Sequence, residues 1–271
     1  MQGPKGQGVV EPAVWILLRG LAREKDHWGE FPAQLSERLK GARVLSLDLP
    51  GAGEFHKTPS PSSIAEIALL VRRQWEQQKP DAQPVGLVAV SMGAMVALEW
   101  IRQAPEEVSG AVIMNSSLRS LSSPHERLRF QMWTHFLRSL VAQNPEARER
   151  QILKIISQRL EVHEQVALEW GKIYRRRPVK RINVLRQVLA ASRFDIDEWP
   201  YTHPILLLCG LGDRLVEPSC SEALHKKFGW PLRQHPWAGH DITLDDGPWV
   251  AEQVASWWNE VMTLSASQPR A

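Results

Sequence analysis

The stretch from Val85 to Trp100, VGLVAVSMGAMVALEW, limits the fold more than any other part of the chain. Its first six residues form an unbroken apolar run, as expected of a strand buried on both faces, and from Met92 the apolar residues take up helical spacing. A strand that passes directly into a helix must turn sharply at Ser91. Ala89 and Gly93, two residues before and after, leave room for the backbones to pass closely. Such a corner pushes the serine side chain out beyond the sheet and makes Ser91 a candidate nucleophile. A serine between small residues is also an ordinary helix N-cap, so the motif needs support from elsewhere in the chain.

An activated serine needs a base to take its proton and an acid to orient that base. Pro204 to Cys209, PILLLC, reads as another buried strand, and the following GLGDRLVEP puts Asp213 just past its end. Near the C-terminus WAGHDI places His240 after Gly239, ahead of a helical stretch that starts around Pro248. His235 is the nearest competing base, and Asp213 taken alone would read as a turn-forming residue. The chain order is serine, aspartate, histidine.

That order, with VWILLRGL at 14–21 and DLPGAGEF at 48–55, resembles the α/β-hydrolase superfamily, and within it the cap-bearing esterases and the small-molecule C–C hydrolases and lyases. The resemblance covers about 13–117 and 200–263. It implies an α/β core over those residues and a helical cap over 118–199, while the ends at 1–12 and 264–271, poor in apolar periodicity and rich in Gly, Pro, Ser and Gln, are expected to be mobile tails. It also implies catalytic roles for Ser91, Asp213 and His240. The backbone N–H groups of Leu21 and Met92 would form the oxyanion hole. Two positions depart from the family pattern. Ala89 replaces the first glycine of the corner, a mild change, and Arg19 stands where the family usually has histidine.

Apolar runs predict strands at 14–18, 43–47, 85–90, 110–114 and 204–209, with a weaker one near 231–235. Helical patterns alternate with them at about 30–40, 62–78, 92–104, 219–228 and 248–263, giving a mostly parallel sheet flanked by helices. Hydrophobic residues make up 43% of the 271, with twelve tryptophans, enough for one well-buried core. Between Asn115 and Pro200 the strand signal vanishes. Helix-spaced Ile152, Ile155, Ile156, Val166, Trp170 and Ile173 replace it, and Phe130, Trp133 and Phe136 are placed either to pack helices or to line an acyl pocket.

Residues 118–200 hold 16 of the 33 Lys and Arg but only 9 of the 30 Asp and Glu, with Arg175, Arg176 and Arg177 as the densest run. The excess would suit an anionic or carrier-bound ester or thioester as well as a solvated helix face. Nothing resembles a nucleic-acid recognition motif, so no nucleic-acid partner is expected. Cys209 and Cys220 match no metal spacing and the nine histidines form no ligand cluster, so neither metal nor cofactor is expected. No run is long and apolar enough to span a bilayer and no signal-like segment opens the chain, which leads to the expectation of a cytoplasmic protein. A serine makes ester or thioester hydrolysis the leading expectation, with C–C cleavage or lysis by the same triad as the alternative. A third, different in kind, is a ligand-binding or interaction module on the same fold.

Overall fold

A computed structural model describes residues 9–78, 83–130 and 133–267. Six strands form one sheet in the order β2-β1-β3-β4-β5-β6: β1 Val14–Leu18, β2 Arg43–Leu47, β3 Val85–Val90, β4 Val108–Met114, β5 Ile205–Gly210 and β6 Leu232–His235. Every pairing is parallel, so the expected mostly parallel sheet is wholly parallel among the described residues.

Parallel strands need crossovers, and helices supply them. On the body that holds the sheet these are α1 Phe31–Arg38, α2 Ile64–Glu76, α3 Met92–Gln103, α9 Ser219–Phe228 and α10 Ile242–Ser267. Side chains alternate across each strand. Ile16, Leu18, Leu87 and Ala89 join α2, α3 and α9 in one cluster, while Trp15, Leu17, Val88 and Val90 join α1 and α10 in another. A strand such as β1, buried throughout, thus contributes to two cores, each buried Leu or Ile adding about 1.5–3 kcal/mol of transfer free energy. Trp15 needs space beside it, and Gly86 provides it, since a Cβ there would stand 2.5 Å from the indole ring. That ring also meets Trp258 at right angles, with centroids 5.3 Å apart.

Between β4 and β5 the chain runs through α4 Pro124–Arg127, α5 Trp133–Leu140, α6 Pro145–Ile156, α7 His163–Arg176 and α8 Arg181–Arg193. Ile155, Ile156, Val166, Trp170 and Ile173 form a separate apolar cluster between α6 and α7, the packing that their spacing predicts. Phe130, by contrast, is 72% exposed, and the side chains of Trp133 and Phe136 lie outside the described residues.

The last helix departs from expectation at both ends. It begins at Ile242, breaks at Asp246 and resumes through Pro248, with Asp246 Oδ1 accepting the Trp249 N–H at 3.0 Å as an N-cap would. It then runs to Ser267, beyond the boundary at 263. Nor is the segment before β1 wholly loose, because Glu11 accepts a 3.0 Å bond from the Trp258 indole.

Candidate active site

Ser91 links β3 to α3 with φ 56° and ψ −122°. A non-glycine residue there costs roughly 1–3 kcal/mol and persists only when its surroundings hold it. The Ser91 N–H donates to Met114 O at 2.8 Å, and its carbonyl accepts from Ser116 Oγ at 3.0 Å. Gly93 is required as well, since a Cβ there would collide with the carbonyl oxygens of Leu18 and Arg19. The corner is therefore pressed against the end of β1.

Asp213 lies in the loop after β5 and His240 in the loop after β6. Their side chains meet, with His240 Nδ1 2.7 Å from Asp213 Oδ2. Asp213 Oδ1 accepts the N–H groups of Leu215 at 2.7 Å and Val216 at 3.0 Å, which fixes the carboxylate's plane. Both residues are buried, whereas Ser91 is only partly so. Among the described residues Ser91 Oγ has no hydrogen-bond partner. Contacts of this kind are often loose without substrate and tighten when it binds.

The loop after β1 crosses beside the serine, where a Cβ on Gly20 would stand 3.1 Å from Ser91 Cβ. Leu21 follows in a turn closed by Arg23 N–H to Gly20 O. Ala22, with φ 56°, donates its N–H to Gln187 Oε1 on α8 at 2.9 Å. Met92 opens α3, so its N–H belongs to the turn that lacks intrahelical acceptors. Met92 thus follows the serine directly in the chain, and Leu21 follows Gly20, which packs against it.

The competing histidine is committed elsewhere. His235 Nδ1 accepts the Ala238 N–H at 3.0 Å and its Nε2 lies 3.2 Å from Asp246, with Trp237 and Trp249 against the ring. It shapes the turn that leads to His240.

Several residues that hold this site gave no sequence signal. Buried Asn115 donates to Gly239 O and His240 O at 3.2 and 2.8 Å and accepts the Gly210 N–H at 3.0 Å. Gln187 Nε2 donates to Pro50 O at 3.1 Å, and Asn183 spans Gly51, Thr58 and Ser60. Positive φ at Asn115 (46°) was invisible in the sequence, and the other two amides sit on an unremarkable helix.

Charge is also bonded internally. Arg19 is buried and forks onto Asp241. Arg23 binds Glu149 at 2.8 Å and lies over Trp170, and its pKa is lowered mainly by burial. A void of about 10 Å³ lies in this junction, room for about one water. The arginine run is paired as well: Arg175 with Glu146, Arg176 with Asp26, and Arg177 with Glu24 and Asp26. Burial pushes the Glu24 carboxyl up to about 7 despite Arg177 beside it. A cleft of about 480 Å³, lined by Trp199, Tyr201, Phe228 and Trp230, lies at the other end of β5 and β6 and does not reach Ser91. Cys209 and Cys220 are free and buried, and the described residues form no metal-binding group.

A protein of Klebsiella pneumoniae named as a carbamate hydrolase, RutD, is 27% identical over 252 residues, covering 88% of this chain and 90% of its own. Two solved structures share the fold. A hydrolase from Pseudomonas aeruginosa PA01 has a TM-score of 0.73 at 18% identity, covering 93% of this chain and 92% of that one. The 2-hydroxy-6-oxo-6-phenylhexa-2,4-dienoate hydrolase of Rhodococcus sp. strain RHA1 has a TM-score of 0.72 at 19% identity, covering 92% and 91%. The family model described as the alpha/beta hydrolase fold matches residues 14–246, and the chain belongs to that family.

Proposed function

We propose that this hydrolase cleaves a small-molecule carboxylic ester or thioester through an acyl-enzyme on Ser91, with 118–199 as a cap over the site. The observation that carries the reading is the 2.7 Å contact of His240 with Asp213 at the same end of the parallel strands, the C-terminal one, as the Ser91 corner. In this mechanism His240 Nε2 takes the Ser91 hydroxyl proton as Oγ attacks the carbonyl carbon. The oxyanion accepts the N–H groups of Leu21 and Met92, each worth about 3 kcal/mol in the transition state. Collapse breaks the ester bond and His240 returns the proton to the departing alcohol or thiol. Water, deprotonated by the same imidazole, then attacks the acyl carbon, freeing the acid and restoring the serine. Asp213 holds the imidazole in the tautomer that leaves Nε2 open.

The carbamate carbonyl named for the Klebsiella relative is open to the same attack, so carbamates join the test panel. The paired arginine run gives no support to selection of an anionic or carrier-bound acyl group by those residues. A fluorophosphonate should label Ser91, and Ser91→Ala should stay folded while losing hydrolysis of every ester, thioester or carbamate that the wild type turns over. Turnover by folded Ser91→Ala would refute the serine mechanism. Inertness of the wild type toward the panel and the probe would refute the hydrolase reading in favour of a binding module, and cleavage of a carbon–carbon bond alone would move it to the C–C hydrolases.

A further inference from the structure

Arg19 has no part in the proton transfers just described, yet it is among the most buried charges in the molecule. Its Nη1 and Nη2 donate to Asp241 Oδ1 and Oδ2 at 3.1 and 2.5 Å, and its guanidinium lies 4.6 Å from the centre of the Trp28 ring. Both side chains of the pair are at most 4% exposed.

The two ends of this pair stand at the two halves of the site. Arg19 packs its carbonyl where a Cβ on Gly93 would sit, and it is followed by Gly20 against Ser91 and then by Leu21. Asp241 is the residue after His240. Its N–H donates to Ile156 O on α6 at 2.7 Å, and its Oδ1 accepts from Thr243 Oγ1 at 2.9 Å. A bidentate fork fixes orientation as well as distance, which a single charge does not. Buried pairs of this kind add little net stability over apolar packing, so stability alone is a weak reason for one here.

We propose that Arg19 and Asp241 are a positioning pair that locks the oxyanion loop to the loop carrying His240, and that the Arg19 charge screens the base from the Asp241 carboxylate. The inference rests on the serine mechanism above. Around His240 stand Asp213 on its Nδ1, Asp241 next to it, and Asp245, whose Oδ2 accepts the Gly239 N–H. Arg129 donates to the Asp213 carbonyl, and Arg23 and Glu149 pair beyond Arg19. Of these, Arg19 is the cation that directly offsets the carboxylate adjoining the base. Burial alone would raise the Asp241 carboxyl, but the neighbouring guanidinium holds it below the usual range, so the pair is ionised.

The test is the pH dependence of kcat and KM for a short-chain p-nitrophenyl ester, run on the full chain. Arg19→Met leaves a bare carboxylate beside the base, which favours imidazolium and should move the acid limb up by about one pH unit. Asp241→Asn leaves a bare guanidinium and should move the limb down, keeping the test open if Arg19→Met does not fold. In Arg19→Met/Asp241→Asn the limb should return to the wild-type position while kcat stays about tenfold or more below it, since the lock is gone. Arg19→Lys should keep the limb and lose kcat, because it keeps charge without the fork, with KM changed less than kcat in each case. Superimposable limbs in both single variants would overturn the screening role, and a wild-type kcat in Arg19→Lys and the double variant would overturn the lock. Full turnover by Ser91→Ala would instead fell the serine reading on which both stand.

Discussion

Asn115 shows what a single side chain does for this site. Its amide joins the ends of β4 and β5 to the loop of His240 through three hydrogen bonds. Asn115→Ala would leave the Gly210 N–H and two carbonyls unpaired in a buried place, so a loss of about 2–4 kcal/mol is expected in denaturant unfolding. Because the same bonds set His240 against Asp213, kcat should fall roughly 10–100-fold in the fraction that remains folded, and an unchanged kcat would make Asn115 purely structural. Asp213→Asn separates geometry from chemistry at the next residue. It can keep the contact with His240 but favours the wrong tautomer, so kcat should drop about 10⁴-fold with little change in melting temperature. The positions of Ser91, Asp213 and His240 beyond strand ends were legible in the sequence because the apolar runs mark those ends. Asn115 and Asp241 also follow such landmarks, but an amide or a carboxylate in a loop has many uses, and only its partners, 95 to 222 residues away, reveal this one.

At the scale of elements, strand and helix positions were readable because the apolar period is local, while the joints between elements were not, because they are polar and distant. Helices α6 and α7 follow from the spacing of Ile152 to Ile173. Their attachment to the body runs through Arg23 with Glu149 and Glu24 with Arg177, and α8 adds the amides of Asn183 and Gln187. The Glu24 joint carries a pH signature. Its carboxyl titrates at about 7 in the folded protein, above its ordinary value of 4.5, so the folded state holds a proton that the unfolded state releases. Its contribution to stability is therefore complete below about pH 4.5 and is lost as pH rises through about 7. Glu24→Gln removes that titration, and its melting temperature should rise relative to the wild type as buffers go from pH 5 to pH 8. A constant difference across that range would show that Glu24 does not titrate there.

Across the whole molecule, the question is where the positive charge of the middle third is spent. The chain carries only three more Lys and Arg than Asp and Glu, yet residues 118–200 hold a marked excess of base, and the sequence offers both a substrate lure and a solvated face as readings. The structure brings Asp26 and Glu24 of the β1 loop against Arg176 and Arg177 across the joint between the helical insertion and the body, and Glu146 of α6 against Arg175 within the insertion, so each arginine of the run is met by a carboxylate. That pairing could not be read from the sequence, because the acidic partners of Arg176 and Arg177 lie about 150 residues earlier in the chain. A field already balanced at short range steers little, and exposed attraction is cut further as the Debye length falls from about 10 Å at 0.1 M salt to 3 Å at 1 M. For any ester the enzyme turns over, KM for a charged and a neutral version should therefore respond alike to salt. Replacing Arg175, Arg176 and Arg177 together by Gln should act on stability: Arg175 and Arg176 are largely exposed and contribute little, whereas Arg177 is mostly buried and leaves Glu24 unpaired, for a total of about 1–3 kcal/mol. Thermal unfolding and initial rates on the same triple variant decide the matter. A lowered melting temperature with KM preserved for both esters marks the run as a fastening, while an intact melting temperature with KM raised for the anionic ester alone would return it to substrate selection.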